Sequence, residues 1–386
     1  MNKFDYYNPT RILFGKDRLG ELDKVVPANA RVLIIYGGGS VKKYGTLSKV
    51  QESLGDRVVF EFGGVEPNPR FETLMKAVAI AKEEAVDFLL AVGGGSVLDG
   101  TKFVAIASKY EGEDAAELLK YGFAGPPVEE ALPIGTVLTL PATGSEMNSG
   151  AVISYEKAKW PILHPLTFPQ FSFLDPELTM TLPKAQVANG IVDAFIHVVE
   201  QYVTVPVDAR FVDRTAEGIL QTLIEVGPKT LADPDNYAAR ANMMWCATMA
   251  LNGLIATGVP QDWTTHMIGH ELTAMFGIDH GKTLAIIQPA VWKVRKEMKR
   301  AKLLQYAERV WGITEGSEDQ RIDQGIERTT AFFEELGVAT HLQSYGISAS
   351  QIDAIVSQLE KHGMTALSES HDVTLEVSRE ILLQAM

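Results

Sequence analysis

The sequence predicts an α/β domain with a parallel sheet over residues 1–180, followed by an all-α domain over residues 181–386. Three observations carry this reading. Up to about residue 180, short runs rich in Val, Ile and Leu stop at glycine and give way to helical patterns. After residue 185 the strand signals almost vanish, and apolar residues recur at intervals of three and four. At 386 residues, the chain also exceeds the roughly 250–300 residues at which a single core stops growing.

The strand candidates are RVLIIYGGGS at 31–40, RVVFEFGG at 57–64, DFLLAVGGGS at 87–96 and LPIGTVLTLPATGS at 132–145. Their nearly unbroken apolar character suits strands covered on both faces, which alternation with helices turns into a parallel sheet. LDPELTMTLPKAQVANG, residues 174–190, carries two prolines and reads as a connection. Beyond it, VANGIVDAFIHVVEQYV, AARANMMWCATMALNGLI and KRAKLLQYAERVWGI have helical periodicity.

Acidic residues outnumber basic ones 49 to 35, a net charge of −14 that disfavours nucleic acid and anionic membranes as partners. The N-terminus MNKFDYYNPTRILFG lacks the apolar core of a signal peptide, and no run of about 18 apolar residues occurs, so a cytoplasmic protein is expected. The single cysteine, Cys246, cannot form an internal disulfide.

GGGSV occurs twice, at 37–41 and 93–97, each time at the end of a strand. Glycines there let backbone N–H groups approach a phosphate, with a helix N-terminus adding a favourable dipole. Neither copy fits GxGxxG or GxxxxGK[ST], and a tight strand-to-helix turn explains either one alone equally well. A third segment, LPATGSEMNSG at 140–150, again follows a strand and clusters hydroxyl and amide groups. Three such loops on one sheet edge favour a nucleotide.

Asp193 and His197 lie four apart on one helix face, and His266 and His270 repeat the spacing on a second helix, with His280 just beyond. Any one histidine on an apolar helix is more often a core side chain, but five ligand types within 88 residues point to a common ion. Imidazole and carboxylate without thiolate suit Fe²⁺ or Zn²⁺. The segment around His270 is not HExxH, so the spacing argues against a zincin protease.

EPNPR at 66–70, GGGSVLDGTK at 93–102, LPATGSE at 140–146, GIVDAFIHVVEQY at 190–202 and H-x3-H-x9-H at 266–280 occur together and in this order. In them the chain resembles the iron-containing (group III) alcohol dehydrogenases over essentially its whole length, and within these the NADPH-dependent aldehyde reductase and butanol dehydrogenase branch. The resemblance implies one divalent ion per chain on Asp193, His197, His266 and His280, in a cleft between the two domains. It leaves His270 as a nearby histidine outside the ligand set.

The resemblance further implies that Gly94, Gly95, Ser96 and Asp99 border the pyrophosphate and nicotinamide, with Thr139, Thr143 and Asn148 on the next loop. It sets Lys159 near the ribose and Asn68 beside the adenosine. His270 is a candidate proton relay, and Asp99 joins it as a candidate catalytic residue. NAD-using relatives tend to carry an acid at the end of the second strand, where it bonds the ribose 2′-hydroxyl. Here Gly37, Gly38 and Gly39 open space, Ser40 offers a donor and Lys42 or Lys43 supplies charge, which favours NADP(H).

The expected substrates are short aldehydes or primary alcohols, with Trp263, Met267, Phe276 and Met147 as candidate apolar walls. The resemblance also implies a homodimer, with FDYYNPTRILFG a plausible pairing edge. A lyase of the dehydroquinate-synthase type would need more basic residues for a phosphorylated substrate. Polyol or glycerol-phosphate dehydrogenation differs by substrate. A metallohydrolase would leave the three glycine-rich loops unexplained, and a noncatalytic metal- or nucleotide-binding protein is the remaining alternative.

Overall fold

A computed structural model describes residues 1–386 as two compact units. One comprises Tyr7–Leu182, and the other comprises Pro183–Met386 together with the first six residues. Those six residues join the helical unit through backbone pairing, the Asn2 N–H donating to the Gly258 carbonyl at 2.9 Å.

The α/β unit is built on a six-stranded parallel sheet formed by β1 (Arg11–Phe14), β2 (Arg31–Tyr36), β3 (Val58–Phe62), β4 (Phe88–Gly94), β5 (Ile134–Leu140) and β8 (Phe171–Leu174). Between β5 and β8 lies a separate antiparallel hairpin, β6 (Gly150–Tyr155) with β7 (Ala158–Leu163). The sheet order is β1-β8-β5-β4-β2-β3. From β2 the chain moves outward to β3, then crosses back to β4 and on to β5. The order therefore reverses between β2 and β4, the switch point at which open parallel sheets bind ligands beyond their C-terminal ends.

Val32 to Ile35 in β2 and Phe88 to Val92 in β4 are fully buried, as strands covered on both faces must be. The hairpin is not anticipated by the sequence reading. Its two turn residues, Glu156 and Lys157, both have positive φ (48° and 62°) without the Asn or Gly that usually announces such a turn. The segment 174–190 is also less of a connection than expected: a short 3₁₀ turn spans Pro176–Thr179, and a helix starts at Lys184 directly after Pro183. Proline fixes φ and lacks an N–H, so it sits readily at a helix start.

In the other unit, the helix Lys184–Tyr202 is buried along almost its whole length from Val187 onward. Around it are Arg210–Ala232, Tyr237–Ala250, Thr264–Phe276 and His280–Val294, with further helices completing the unit. A helix buried on every side must find partners for each polar side chain it carries. Asp193, His197 and Glu200 are the acidic and imidazole groups on this one, and their spacing of four and three places them on a single face. No helix of the chain is long and apolar enough to cross a membrane.

Candidate metal centre and dinucleotide loops

Two further helices bring histidines to that face. Thr264–Phe276 carries His266 and His270, and ends at Gly277, whose φ of 69° makes the left-handed turn glycine favours. After two residues, the next helix opens on His280. Gly281 then approaches the first helix so closely that a Cβ there would lie 2.5 Å from the Asn189 carbonyl oxygen. Only glycine permits this contact, made one turn before Asp193 on the helix Lys184–Tyr202, and it lets the neighbouring His280 reach that carboxylate.

Asp193, His266 and His280 each offer a ligand atom within 4.8 Å of the others. His266 Nε2 and His280 Nε2 stand 3.8 and 3.7 Å from Asp193 Oδ1. His197 stands beside this group, with Nδ1 3.6 Å from the same oxygen and its ring stacked on His266 at 4.5 Å between centroids. Asp193 Oδ1, His197 Nδ1 and His266 Nε2 are buried and have no hydrogen-bond partner in the protein. Ligand atoms held at about 2.0–2.2 Å around a tetrahedral ion lie roughly 3.3–3.6 Å apart, so the three distances measured from Asp193 Oδ1 need only a small contraction. A divalent cation fits this donor set of three imidazoles and one carboxylate, in which the unsatisfied atoms of Asp193, His197 and His266 are ones that an ion with empty orbitals would bind.

The electrostatics couple these groups closely: burial lowers His266, but Glu200 and Asp193 outweigh it and raise the imidazole to about 9, so in the absence of an ion a proton takes its place. Burial would raise the Asp193 carboxyl, but the charges of His197, His280 and His266 together hold it well below the usual carboxylate range. Burial pushes His197 down to about 4, which favours the neutral, ligating imidazole. His270 is buried beside the group, its ring 5.2 Å from that of His280 and 6.3 Å from that of His266. Thus the structure draws all five sequence candidates together. Trp263, half-buried with a φ of 63°, turns an edge toward the rings of His266 and His197 at 5.3 and 6.2 Å.

Glu200 is the residue the sequence reading missed. One carboxylate oxygen accepts a hydrogen bond from the Thr265 N–H at 2.6 Å, and the other pairs with His266 Nδ1. Its signal was present: Glu200 lies seven residues after Asp193 and three after His197, on the same face.

The dinucleotide candidates gather at the C-terminal ends of β2, β4 and β5. The β4–β5 pairing runs Gly93 to Leu138, then Gly94 to Leu140, which leaves Thr139 as a bulged residue. A Cβ at Gly95 would fall 2.6 Å from Thr143 Oγ1, so the second and third loops pack directly on one another. Asn68, at a φ of 59°, donates its N–H to Ser96 Oγ at 3.3 Å and accepts from Lys159 Nζ at 2.7 Å. Asp99 accepts from Ser145 Oγ at 2.6 Å and from the Val152 N–H at 2.9 Å, so it ties the third loop and the hairpin to the helix Gly95–Ala107.

Lys102, wholly buried and unnoticed in the sequence, donates to Ser145 Oγ, Asn148 Oδ1 and the Gly150 carbonyl at 2.8, 3.0 and 2.8 Å. Burial lowers its ammonium to about 8. The first loop is looser. Gly39, at a φ of 102°, caps the four-residue helix Ser40–Lys43. Lys42 is taken up by Glu61 at 3.2 Å and by the face of Tyr36, whereas Lys43 lies over Tyr44. Of the two lysines considered for the 2′-phosphate, Lys43 is the one without an acidic partner among the ion pairs.

The chain matches the family model described as iron-containing alcohol dehydrogenase over residues 9–176, and the model of the C-terminal part of the Fe-containing alcohol dehydrogenase family over 187–373. It is 60% identical to the NADPH-dependent aldehyde reductase YqhD of Escherichia coli K12 over 99% of both chains. The crystal structure of E. coli K-12 YqhD superposes with a TM-score of 0.98, covering 100% of this chain and 99% of that one. A structure named NADH-dependent butanol dehydrogenase A from Thermotoga maritima, 36% identical, gives 0.93 over 100% and 99% of the two chains. With family models matching both halves and a relative this similar over its full length, the chain belongs to the iron-containing alcohol dehydrogenase family.

Proposed function

We propose that this family member is an NADP(H)-dependent aldehyde reductase that also runs as an alcohol dehydrogenase, on short aldehydes and primary alcohols, with one Fe²⁺ or Zn²⁺ per chain. The observation that carries the reading is the set of buried donors on Asp193, His197 and His266 that no protein group satisfies. Family membership supports the reaction class. The name of the E. coli relative supports aldehyde and NADPH.

Asp193, His197, His266 and His280 would hold the ion, and Gly37, Gly38, Gly39, Ser40, Lys43, Asn68, Gly94, Gly95, Ser96, Thr139, Thr143, Asn148 and Lys159 the dinucleotide. When bound, the ion supplies positive charge beside the reacting oxygen and the dinucleotide supplies or accepts the hydride. The chain's part is placement. Asp193 brings the one anionic ligand, and neutral imidazoles leave part of the ion's charge for the substrate oxygen. Burial of Asp193, His197 and His266 excludes water, which strengthens each electrostatic contact.

His270, at the rim of the ligand rings, is positioned to pass a proton to or from the oxygen. Asp99 acts by holding the third loop with both carboxylate oxygens. For cofactor choice, the support is chemical: no acid stands at 37–40, where a 2′-phosphate would be repelled, and Ser40 and Lys43 offer a donor and a charge. A homodimer belongs to the same reading, with the outermost strand β1 and the segment before it as the pairing edge.

The test follows NADPH absorbance with a series of aliphatic aldehydes, using enzyme as purified, chelator-treated, and reloaded with Fe²⁺ or Zn²⁺. Aldehyde-dependent oxidation that disappears on chelation and returns with one ion is the expected result. Full activity after complete metal removal would refute the ion's role.

A further inference from the structure

We infer that Glu200 is a positioning residue of the metal centre, which fixes His266 in its ligating tautomer and supplies the second negative charge that a buried divalent ion requires. This rests on the ion site proposed above, and three observations support it.

The first is orientation. His266 Nδ1 pairs with one Glu200 oxygen, so its ring turns Nε2 toward Asp193 Oδ1, 3.8 Å away. An ionised carboxylate only accepts hydrogen bonds, so the imidazole proton belongs on Nδ1 and the lone pair on Nε2. The second is rigidity. The other Glu200 oxygen accepts from Thr265 N–H, and the Glu200 carbonyl accepts from Asp262 N–H at 2.9 Å. Asp262 in turn accepts from the Thr264 N–H and is bridged by the buried Lys299 at 2.8 Å. Lys299 also reaches Glu369 at 3.1 Å and the Val203 carbonyl at 2.9 Å. The start of the helix bearing His266 and His270 is therefore bolted to the helix bearing Asp193 and His197.

The third observation is charge. Asp193 and Glu200 are both within 3% of complete burial, and a buried double positive charge is costly without matching negative charge nearby. Asp193 alone supplies half of it. Glu200 supplies the rest through the imidazole it holds, in the manner of a carboxylate behind a ligating histidine.

Glu200→Gln separates this from a packing role, because glutamine keeps the shape and loses the logic. If its carbonyl oxygen accepts from Thr265, its NH₂ faces Nδ1 and drives the imidazole proton onto Nε2, where the ion belongs. If it flips, the NH₂ opposes the Thr265 N–H. Zn²⁺ affinity of the metal-depleted protein, measured by competition with a chromophoric chelator, is expected to weaken by about 10–100-fold, the range for such outer partners. In a His266→Ala background, the same change has nothing to act through and should cost less than about twofold, as a double-mutant cycle requires.

Unchanged Zn²⁺ affinity in Glu200→Gln, or an equal loss in the His266→Ala background, overturns the inference. A variant that does not fold leaves ¹⁵N-histidine NMR of the Zn²⁺-loaded wild type to decide: a His266 proton on Nδ1 is expected, and one on Nε2 overturns it. Should the wild type take up no Zn²⁺, the ion site itself falls, whereas uptake with unchanged affinity in the variant removes only the part of Glu200.

Discussion

Gly-Gly-Gly-Ser-Val follows β2 at 37–41 and runs from the end of β4 at 93–97, and the chain uses the two copies differently. In the second copy the glycines are there because nothing else fits: a Cβ at Gly93 would meet Val97 at 2.6 Å, at Gly94 the Leu140 Cβ at 3.0 Å, and at Gly95 Thr143 at 2.6 Å. In the first copy, a Cβ at Gly38 or Gly39 would meet no heavy atom within 4 Å, and only one at Gly37 would come close to anything, 3.3 Å from the Val65 carbonyl oxygen. One copy opens a 13-residue helix and the other a helix of four. Identical residues thus make a packed floor in one place and an open shelf in the other. Under the proposed function, the floor would fix where a pyrophosphate lies, and the shelf would leave room for the part that distinguishes one dinucleotide from another.

The strongest way to break this comparison is a methyl group on the floor. Gly95→Ala pushes Thr143, whose Oγ1 accepts from the Ser145 N–H at 3.2 Å, and so disturbs the third loop as well as the second. The expected cost is about 1–3 kcal/mol of stability for overpacking a β-branched neighbour. NADPH dissociation should rise about tenfold or more, the equivalent of some 1.4 kcal/mol. Calorimetry and an NADPH fluorescence titration check both. Combining the change with Thr143→Ala should return part of the stability; no recovery would mean that the strain lies elsewhere.

The floor and the shelf were not equally legible. Both pentapeptides can be read directly, but their difference depends on Leu140, at the end of β5, and Thr143, in the loop after it, which are close only once β4 and β5 pair. Asp193, His197, His266 and His270 were legible for the opposite reason: an interval of four is a local fact of helix geometry, and His280 follows by proximity. Glu200 escaped because a glutamate late in a helix ordinarily faces water, and only the burial of this particular helix makes it exceptional. Lys102 escaped similarly, as a lysine with no exposed surface runs against its usual place. The first six residues carry no local signal at all for the helical unit they join. What periodicity encodes was readable; what depends on which segments meet was not.

On the shelf, Gly37→Asp sharpens the contrast by adding charge rather than bulk. An acid there can bond a ribose 2′-hydroxyl and repels a 2′-phosphate, so the ratio of kcat/KM for NADPH to that for NADH should fall by about tenfold or more, roughly 1.4 kcal/mol. The contact with the Val65 carbonyl will cost some folded protein. The ratio is insensitive to that loss, since both cofactors see the same folded enzyme. A ratio that stays at the wild-type value removes Gly37 from cofactor selection.

The smallest effect is expected one residue further on. Gly38 is exposed, has open space where a Cβ would go, and its φ lies outside the left-handed region that favours glycine. Alanine there restricts the unfolded chain more than the folded one, so Gly38→Ala should leave stability unchanged or raise it by about 0.4–1 kcal/mol. NADPH affinity should stay within about twofold, well under the tenfold that 1.4 kcal/mol represents. Thermal melting and the same fluorescence titration measure the two separately, and their separation is what makes the variant informative. Lower stability would contradict the open space. Weaker NADPH binding at unchanged stability would mean that the dinucleotide itself passes within a methyl group of Gly38, so that the first copy, too, is glycine for the sake of close approach, with the ligand in place of Thr143 as the neighbour.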